Sequence, residues 1–192
     1  MNPSTGSFAF FNDYEKTVYA LQPELYLEIR RIVDSEADAF RRREGRLPEL
    51  LDVGSAGLIP YEATLERCIT ILDLFPKPEG VALRSNVSWQ VGDILKDDPG
   101  TYDTYDIVVM SSLLHHLADK HNNCVANVRT AFEQVARRLR AGGVALVFES
   151  FCPPVIAAAQ DLLYPVYSRL LVSALKFTYV RMLSFPEAQR AL

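Results

Sequence analysis

The stretch ELLDVGSAGLIP, from Glu49 to Pro60, restricts the possible folds of this chain more than any other. Leu50, Leu51 and Val53 form a short apolar run closed by glycine, the pattern of a strand buried on both faces. Gly54, Ser55, Ala56 and Gly57 then allow a sharp backbone turn and leave room for a ligand to come close. In open α/β sheets, turns of this kind at the carboxyl ends of parallel strands are where nucleotides bind. A purely structural turn would use the same residues, so the stretch has to be weighed with the segments around it.

From Phe8 to Asp38 apolar residues recur at helical spacing. Phe11, Tyr14, Val18 and Leu21 belong to a first helix, and Leu25, Ile29, Ile32 and Val33 to a second that Gln22-Pro23-Glu24 starts. The aromatics Phe8, Phe10, Phe11, Tyr14 and Tyr19 suit core packing or the lining of an apolar pocket. Arg41 to Arg46 (RRREGR) reads as a solvated helix end and loop. Beyond the turn, a helical piece from Tyr61 to Arg67 leads to the strand CITILDLF, Cys68 to Phe75, and then to loop from Pro76 to Asn86. Val87 to Leu95 is a third strand closing on Gly92-Asp93, and Asp97-Asp98-Pro99-Gly100 is turn chemistry. Ile107 to Met110 is a fourth strand, with Ser111 to Leu117 as its exit. Val125 to Arg140 is an amphipathic helix that Gly142-Gly143 stops, and Val144 to Ser150 is a fifth strand. The alternation predicts a mostly parallel α/β sheet with helices on both faces. Right-handed crossovers would then gather Asp52, Asp73, Asp93, His115, His116 and Glu149 at one edge.

The segment from Pro153 to Leu192 is apolar, but Asp161, Arg169, Lys176 and Arg181 interrupt it. It therefore falls short of the roughly 20 nearly charge-free residues of a membrane span. It reads as two helices broken at Pro165 that cap the sheet edge, without stable membrane insertion, followed by a helix that Ser184 caps. The 192 residues suit a single domain: helices over 1–46, a sheet core over 47–150 and a helical cap over 151–192. A net charge of -4 and a pI near 5.4 argue against a nucleic-acid partner. Cys68, Cys124 and Cys152 have neither disulfide-framework nor metal-site spacing, and the N-terminus has no signal-peptide pattern, so the expected location is the cytoplasm and no metal is expected. No G-x-S-x-G elbow or phosphate-binding GxxxxGK[ST] occurs, and Gly54-Ser55-Ala56-Gly57-Leu58-Ile59 is not the G-x-G-x-x-G of a dinucleotide site. Hydrolase, kinase and nicotinamide-dependent oxidoreductase readings recede accordingly.

From Leu47 to Ser150 the chain resembles the class I S-adenosylmethionine-dependent methyltransferases. Asp52-Val53-Gly54-Ser55-Ala56-Gly57-Leu58 stands where that family has its D/E-x-G-x-G-x-G turn. YDIVVMSSLLHHL matches its fourth strand and exit, and RRLRAGGVALVFE its helix-glycine-strand junction. The resemblance implies a Rossmann-like fold, S-adenosylmethionine as cofactor and methyl transfer to a small, partly apolar molecule under a helical lid. It assigns Asp52, Gly54, Ser55, Ala56 and Gly57 to the cofactor turn, Asp73 with Leu74 to the ribose hydroxyls, Asp93 with Ile94 to the adenine, and Ser111 to the strand exit beside them. His115 and His116 are candidates for a general base and Glu149 for orienting the acceptor. Two departures stand out. Ala56 and Leu58 replace the second and third glycines, the leucine narrowing the cofactor slot, and nothing after Ser150 reads as the family's sixth and seventh strands. The chain is then either cut short or a minimal form that completes its sheet edge as a homodimer. These departures also keep open a second reading, an inactive or repurposed methyltransferase-like binding or partner protein.

Overall fold

The computed structural model describes residues 23–61, 68–77, 83–96, 104–119, 121–174 and 180–192. Strands β1 (Leu50–Val53), β2 (Ile69–Asp73), β3 (Val87–Val91), β4 (Tyr105–Ser111) and β5 (Leu139–Phe148) form one sheet in the order β3-β2-β1-β4-β5. Every neighbouring pair is parallel, and β1 lies centrally with Leu50–Val53 paired to Ile69–Leu72 on one side and Ile107–Met110 on the other. The side-chain period of two divides these strands between two cores. Leu51, Val53, Leu72, Val108 and Met110 enter one core, and Leu50, Ile69, Ile71, Ile107 and Val109 the other.

Helices cover both faces. Helix α1 (Pro23–Glu44) covers the second core with Ile29, Val33 and Ala37, a stripe at intervals of four residues. The first core is covered by α2 (Cys124–Arg138), α3 (Pro154–Ala174) and α4 (Phe185–Ala191), through Val128, Ala131, Val135, Tyr164 and Ala191. Each such large side chain removed from water contributes about 1.5–3 kcal/mol before entropy is counted. Helix α4 starts as expected: Ser184 Oγ and its backbone N–H both donate to Glu187 Oε2, at 2.7 and 2.8 Å.

Helix α1 ends at Glu44, within the stretch read as a helix end, where Phe40 extends its buried stripe and Arg41, Arg42 and Arg43 suit the negative end of the helix. Two expectations need correction. Gly142-Gly143 do not stop the helix after β4. Leu139 is already extended (φ -83, ψ 135) and begins β5, and the glycines lie in a register shift where four residues of β5 face Asp106 alone. Gly143 is needed there, since a Cβ would lie 3.0 Å from both the Arg140 and the Asp106 carbonyl oxygens. Nor does Pro165 break the cap into two helices: it lies inside α3. The lost hydrogen bond to the Asp161 carbonyl is tolerated because Ala157, Tyr164 and Ser168 anchor the helix on both sides of the proline. The outer face of α3 is apolar, with Val155, Leu162 and Val166 all exposed. Among the described residues no helix is long and apolar enough to cross a membrane. The helix expected over Phe8 to Leu21 with its aromatics, most of the piece from Tyr61 to Arg67, and the turn Asp97 to Gly100 lie outside the described residues.

The register shift has a cause at the amino-terminal edge of the sheet. Asp106 is buried and accepts from Arg46 Nη1 and Nη2 at 2.7 Å each, from Arg140 Nη1 at 2.9 Å and from the Glu49 amide at 2.8 Å. Arg140 also reaches Glu49 Oε2 at 2.6 Å, which turns β5 back towards β4 before the regular ladder resumes at Val144. Arg46, read from sequence as part of a solvated run, is thus a partner of a buried carboxylate. Burial alone would raise the Asp106 carboxyl; the two guanidinium groups and the Glu49 amide outweigh it and hold it below the usual range. Stability from this group is therefore present above the unfolded carboxyl value and lost as pH falls through the lower folded one. Asp106→Ala should cost about 2–3 kcal/mol in urea unfolding at pH 7 and flatten the acid limb of the stability profile.

Candidate active site

The carboxyl ends of the strands carry the sequence-predicted residues, and the turn after β1 organises them. Gly54 (φ 75), Ala56 (φ 52) and Gly57 (φ 88) all have left-handed backbone, so the turn coils tightly. Gly54 could be no other residue without displacement, because a Cβ would lie 2.7 Å from Leu113 Cδ1. Ala56 occupies the left-handed region against its preference, a strain the family's glycine would not have.

Two carboxyls border the turn. Asp73, at the end of β2, accepts from the Ala56 amide at 3.1 Å on Oδ2 and from the Phe75 amide at 3.0 Å on Oδ1. It is buried, and burial raises its carboxyl further than the amides of Phe75, Ala56 and Leu74 lower it. Asp52 on β1 is 2% exposed and accepts a hydrogen bond from the Tyr61 hydroxyl on Oδ2, while its Oδ1 has no partner among the described residues. Burial pushes this carboxyl up to about 6, against the pull of Ser55 and Tyr61, and the Asp73 charge adds to the rise. Tyr61 was not recognised from sequence as a site residue; its position at the end of the glycine stretch was the available signal.

Further along the edge, Asp93 Oδ1 accepts from the Leu95 amide at 3.0 Å and Oδ2 pairs with Lys96 Nζ at 3.2 Å. Ile94 is buried in the first core, Ser55 is buried in the turn, and Leu74 is 56% exposed at the rim. At the other end, His115 Nδ1 lies 2.8 Å from Glu149 Oε1. Glu149 Oε2 accepts from the Leu114 amide at 2.7 Å, and Oε1 also accepts from the Ser150 amide at 2.9 Å. Burial would raise the Glu149 carboxyl, but His115 and these amides prevail and hold it below the usual range. His116, half-buried with its ring centroid 4.1 Å from that of His115, is driven down to about 3 by burial and by the His115 charge. His115 and Glu149 are thus brought together, whereas His116 is held neutral and is a poor base.

A cavity of about 250 Å³ opens beside this pair, lined by Ser111, Ser112, Glu149 and Ser150 and walled by residues of α1 and β5. Ser112, with φ 52, donates its amide to the Phe148 carbonyl at 2.8 Å and so ties the exit of β4 to the end of β5. The lining by Leu25 and Ile29 was not singled out from sequence, where they read only as members of a helical stripe.

A family model described as a methyltransferase domain matches residues 51–147, just over half of the chain, from β1 into β5 and including the glycine turn, Asp73, Asp93 and His115. The chain belongs to the methyltransferase-domain family. It is the family of class I S-adenosylmethionine-dependent methyltransferases, and S-adenosylmethionine is the cofactor it implies. No curated protein matches the sequence significantly. Among solved structures, YcgJ from Bacillus subtilis is similar at 23% identity and a TM-score of 0.52, over 75% of this chain and 59% of that one. DesVI from Streptomyces venezuelae is similar at 20% identity and a TM-score of 0.51, over 74% and 58%. WbdD is similar at 17% identity and a TM-score of 0.51, over 65% and 29%. This methyltransferase domain therefore spans less than two thirds of the length of each of them, and the likeness is one of fold.

The residues at the glycine turn fit the implied cofactor. Asp52 Oδ1 is a buried acceptor with no partner among the described residues, and each Asp73 oxygen can accept a second hydrogen bond. Without a cation nearby, the raised Asp52 carboxyl makes the folded state bind the proton more tightly than the unfolded chain. Stability from this group is full below about pH 4 and is lost as pH rises through about 6. Thermal or urea unfolding of the ligand-free domain between pH 4.5 and 7.5 should show Asp52→Asn gaining about 1–3 kcal/mol relative to wild type over that range.

Proposed function

We propose that this methyltransferase domain binds S-adenosylmethionine at the Gly54–Gly57 turn and catalyses methyl transfer to a small, partly apolar molecule held in the cavity beside β4 and β5. The observation that carries the proposal is the pair of buried carboxyls, Asp52 and Asp73, flanking a turn with left-handed backbone at Gly54, Ala56 and Gly57. When bound, the cofactor supplies a methyl group activated by a sulfonium and brings positive charge. Asp52 Oδ1 would accept from its ammonium, Asp73 from its ribose hydroxyls, and Asp93 from its adenine amino group, with Ile94 against the ring. Ser55, Ala56, Gly57, Leu74 and Ser111 would line its path.

On the acceptor side, catalysis of an in-line displacement rests largely on placement and on keeping water out. The apolar walls of the cavity favour both. Glu149, ionised, can only accept, so His115 carries its proton on Nδ1 and offers the lone pair of Nε2 to a hydroxyl or amine proton. Glu149 orients His115 and also holds the loop, through the Leu114 amide. The net charge of -4 supports a small molecule rather than nucleic acid as substrate, and the free thiols Cys68, Cys124 and Cys152 suit the cytoplasm.

A second reading, a domain that no longer transfers methyl groups, is favoured by the strain at Ala56 and by the occupation of both Asp73 oxygens by backbone amides. Calorimetric titration with S-adenosylmethionine and S-adenosylhomocysteine separates the two. Micromolar binding, weakened at least about tenfold in Asp73→Ala, is expected for the cofactor site. No binding to a folded wild-type domain would reject it. With an acceptor in hand, His115→Asn should lower kcat about a hundredfold at unchanged cofactor affinity, and unchanged kcat would remove His115 as the base.

A further inference from the structure

The cavity at the ends of β4 and β5 has a composition that selects among acceptors. Leu25 and Ile29 of α1 line it together with Val147, Phe148 and Phe151, so much of its wall is apolar. Its polar part consists of Ser111, Ser112, Ser150 and the carboxylate of Glu149, and no described lining residue is basic. The Glu149 side chain is 1% exposed and its charge is shared with His115 and three backbone amides, so it stays ionised and inside the protein. An anion placed in this space would meet the like charge of Glu149, and no basic side chain among the described lining residues would offset it. A hydroxyl or ammonium, by contrast, would find acceptors in the three serine hydroxyls and a favourable field from the buried carboxylate behind them. The volume of about 250 Å³ equals that of roughly eight water molecules and lies below the range of drug-sized pockets, which suits a ligand of about ten non-hydrogen atoms.

Resting on the methyl-transfer reading, we infer that the acceptor is a compact amphipathic molecule, uncharged or cationic, whose apolar body lies against Leu25, Ile29 and Phe148 and whose hydroxyl or amine faces Ser111, Ser112 and Ser150 in the field of the Glu149 carboxylate, and that carboxylate- and phosphate-bearing molecules are excluded. Leu25, 42% exposed at the wall of the cavity, is then a specificity-determining position, because it is where a positive charge could be added without burying it.

Tyramine, tyrosol and 4-hydroxyphenylacetate share one ring and differ in a cationic, neutral or anionic tail, so they test the charge selection directly. Their binding to the full chain is measured by ligand-observed NMR, with and without saturating S-adenosylhomocysteine. Tyramine and tyrosol should bind, and the carboxylate at least tenfold more weakly. Leu25→Arg, with its fold checked by circular dichroism and melting, should reverse that order between tyramine and the carboxylate. Equal binding of all three to wild type, an unchanged order in Leu25→Arg, or no binding of any probe would overturn the inference. Loss of S-adenosylhomocysteine binding with the tail preference intact would instead overturn the methyl-transfer reading and leave the cavity's selectivity standing.

Discussion

The buried acid at the end of β1 is the constraint on which the rest of this molecule turns. A parallel strand flanked on both sides has no water at either face, so Asp52 is ionisable in a place that disfavours its charge. The Tyr61 hydroxyl meets one of its oxygens, and the other is left open towards the glycine turn. A group in that state is costly to the fold unless something positive arrives, and the neighbouring Asp73, also raised by burial, deepens the same deficit of positive charge. The two ends of the sheet differ in this respect. At the amino-terminal edge Asp106 is satisfied by Arg46 and Arg140 from within the chain, and the region is a clamp. At the carboxyl-terminal edge no guanidinium among the described residues answers Asp52 or Asp73 in this way.

The cap ties the second half of the site to the same frame. Arg181 is buried, donates to Asp161 and Glu187, and its backbone amide donates to the His115 carbonyl at 3.0 Å. The Tyr164 hydroxyl donates to the Asp119 carbonyl at 2.6 Å, and Asn127 Nδ2 to the Leu117 carbonyl at 2.7 Å. The segment that presents His115 is thus held by α2, by α3 and by the strand-end Glu149, although it has little regular structure of its own.

Much of this was legible in the sequence because local pattern and tertiary role coincide. The run Leu50 to Val53 is apolar because both faces are covered, and Asp73 and Asp93 follow strands whose ends form the site edge. What was not legible depends on partners distant in the chain. Gly142-Gly143 carry the signature of a helix stop, yet Arg140 reaching back to Asp106 decides that they serve a bulge. Pro165 carries the signature of a break, yet buried neighbours on both sides keep α3 continuous. His115 and His116 are equivalent by sequence; the contact of His115 with Glu149 and the burial of His116 distinguish them. Arg46 likewise belongs by composition to a solvated run and by geometry to a buried carboxylate.

The most direct measurement is the number of protons released when S-adenosylmethionine binds, from calorimetry at pH 6 in buffers of differing ionisation enthalpy. If the cofactor's positive charge completes Asp52, the half-protonated carboxyl of the free domain should ionise, with release of up to about half a proton per site, and Asp52→Asn should abolish it. Tight binding with no proton release in wild type would contradict the account, because it would mean that the cofactor's charge lies elsewhere and that Asp52 stays buried and unanswered.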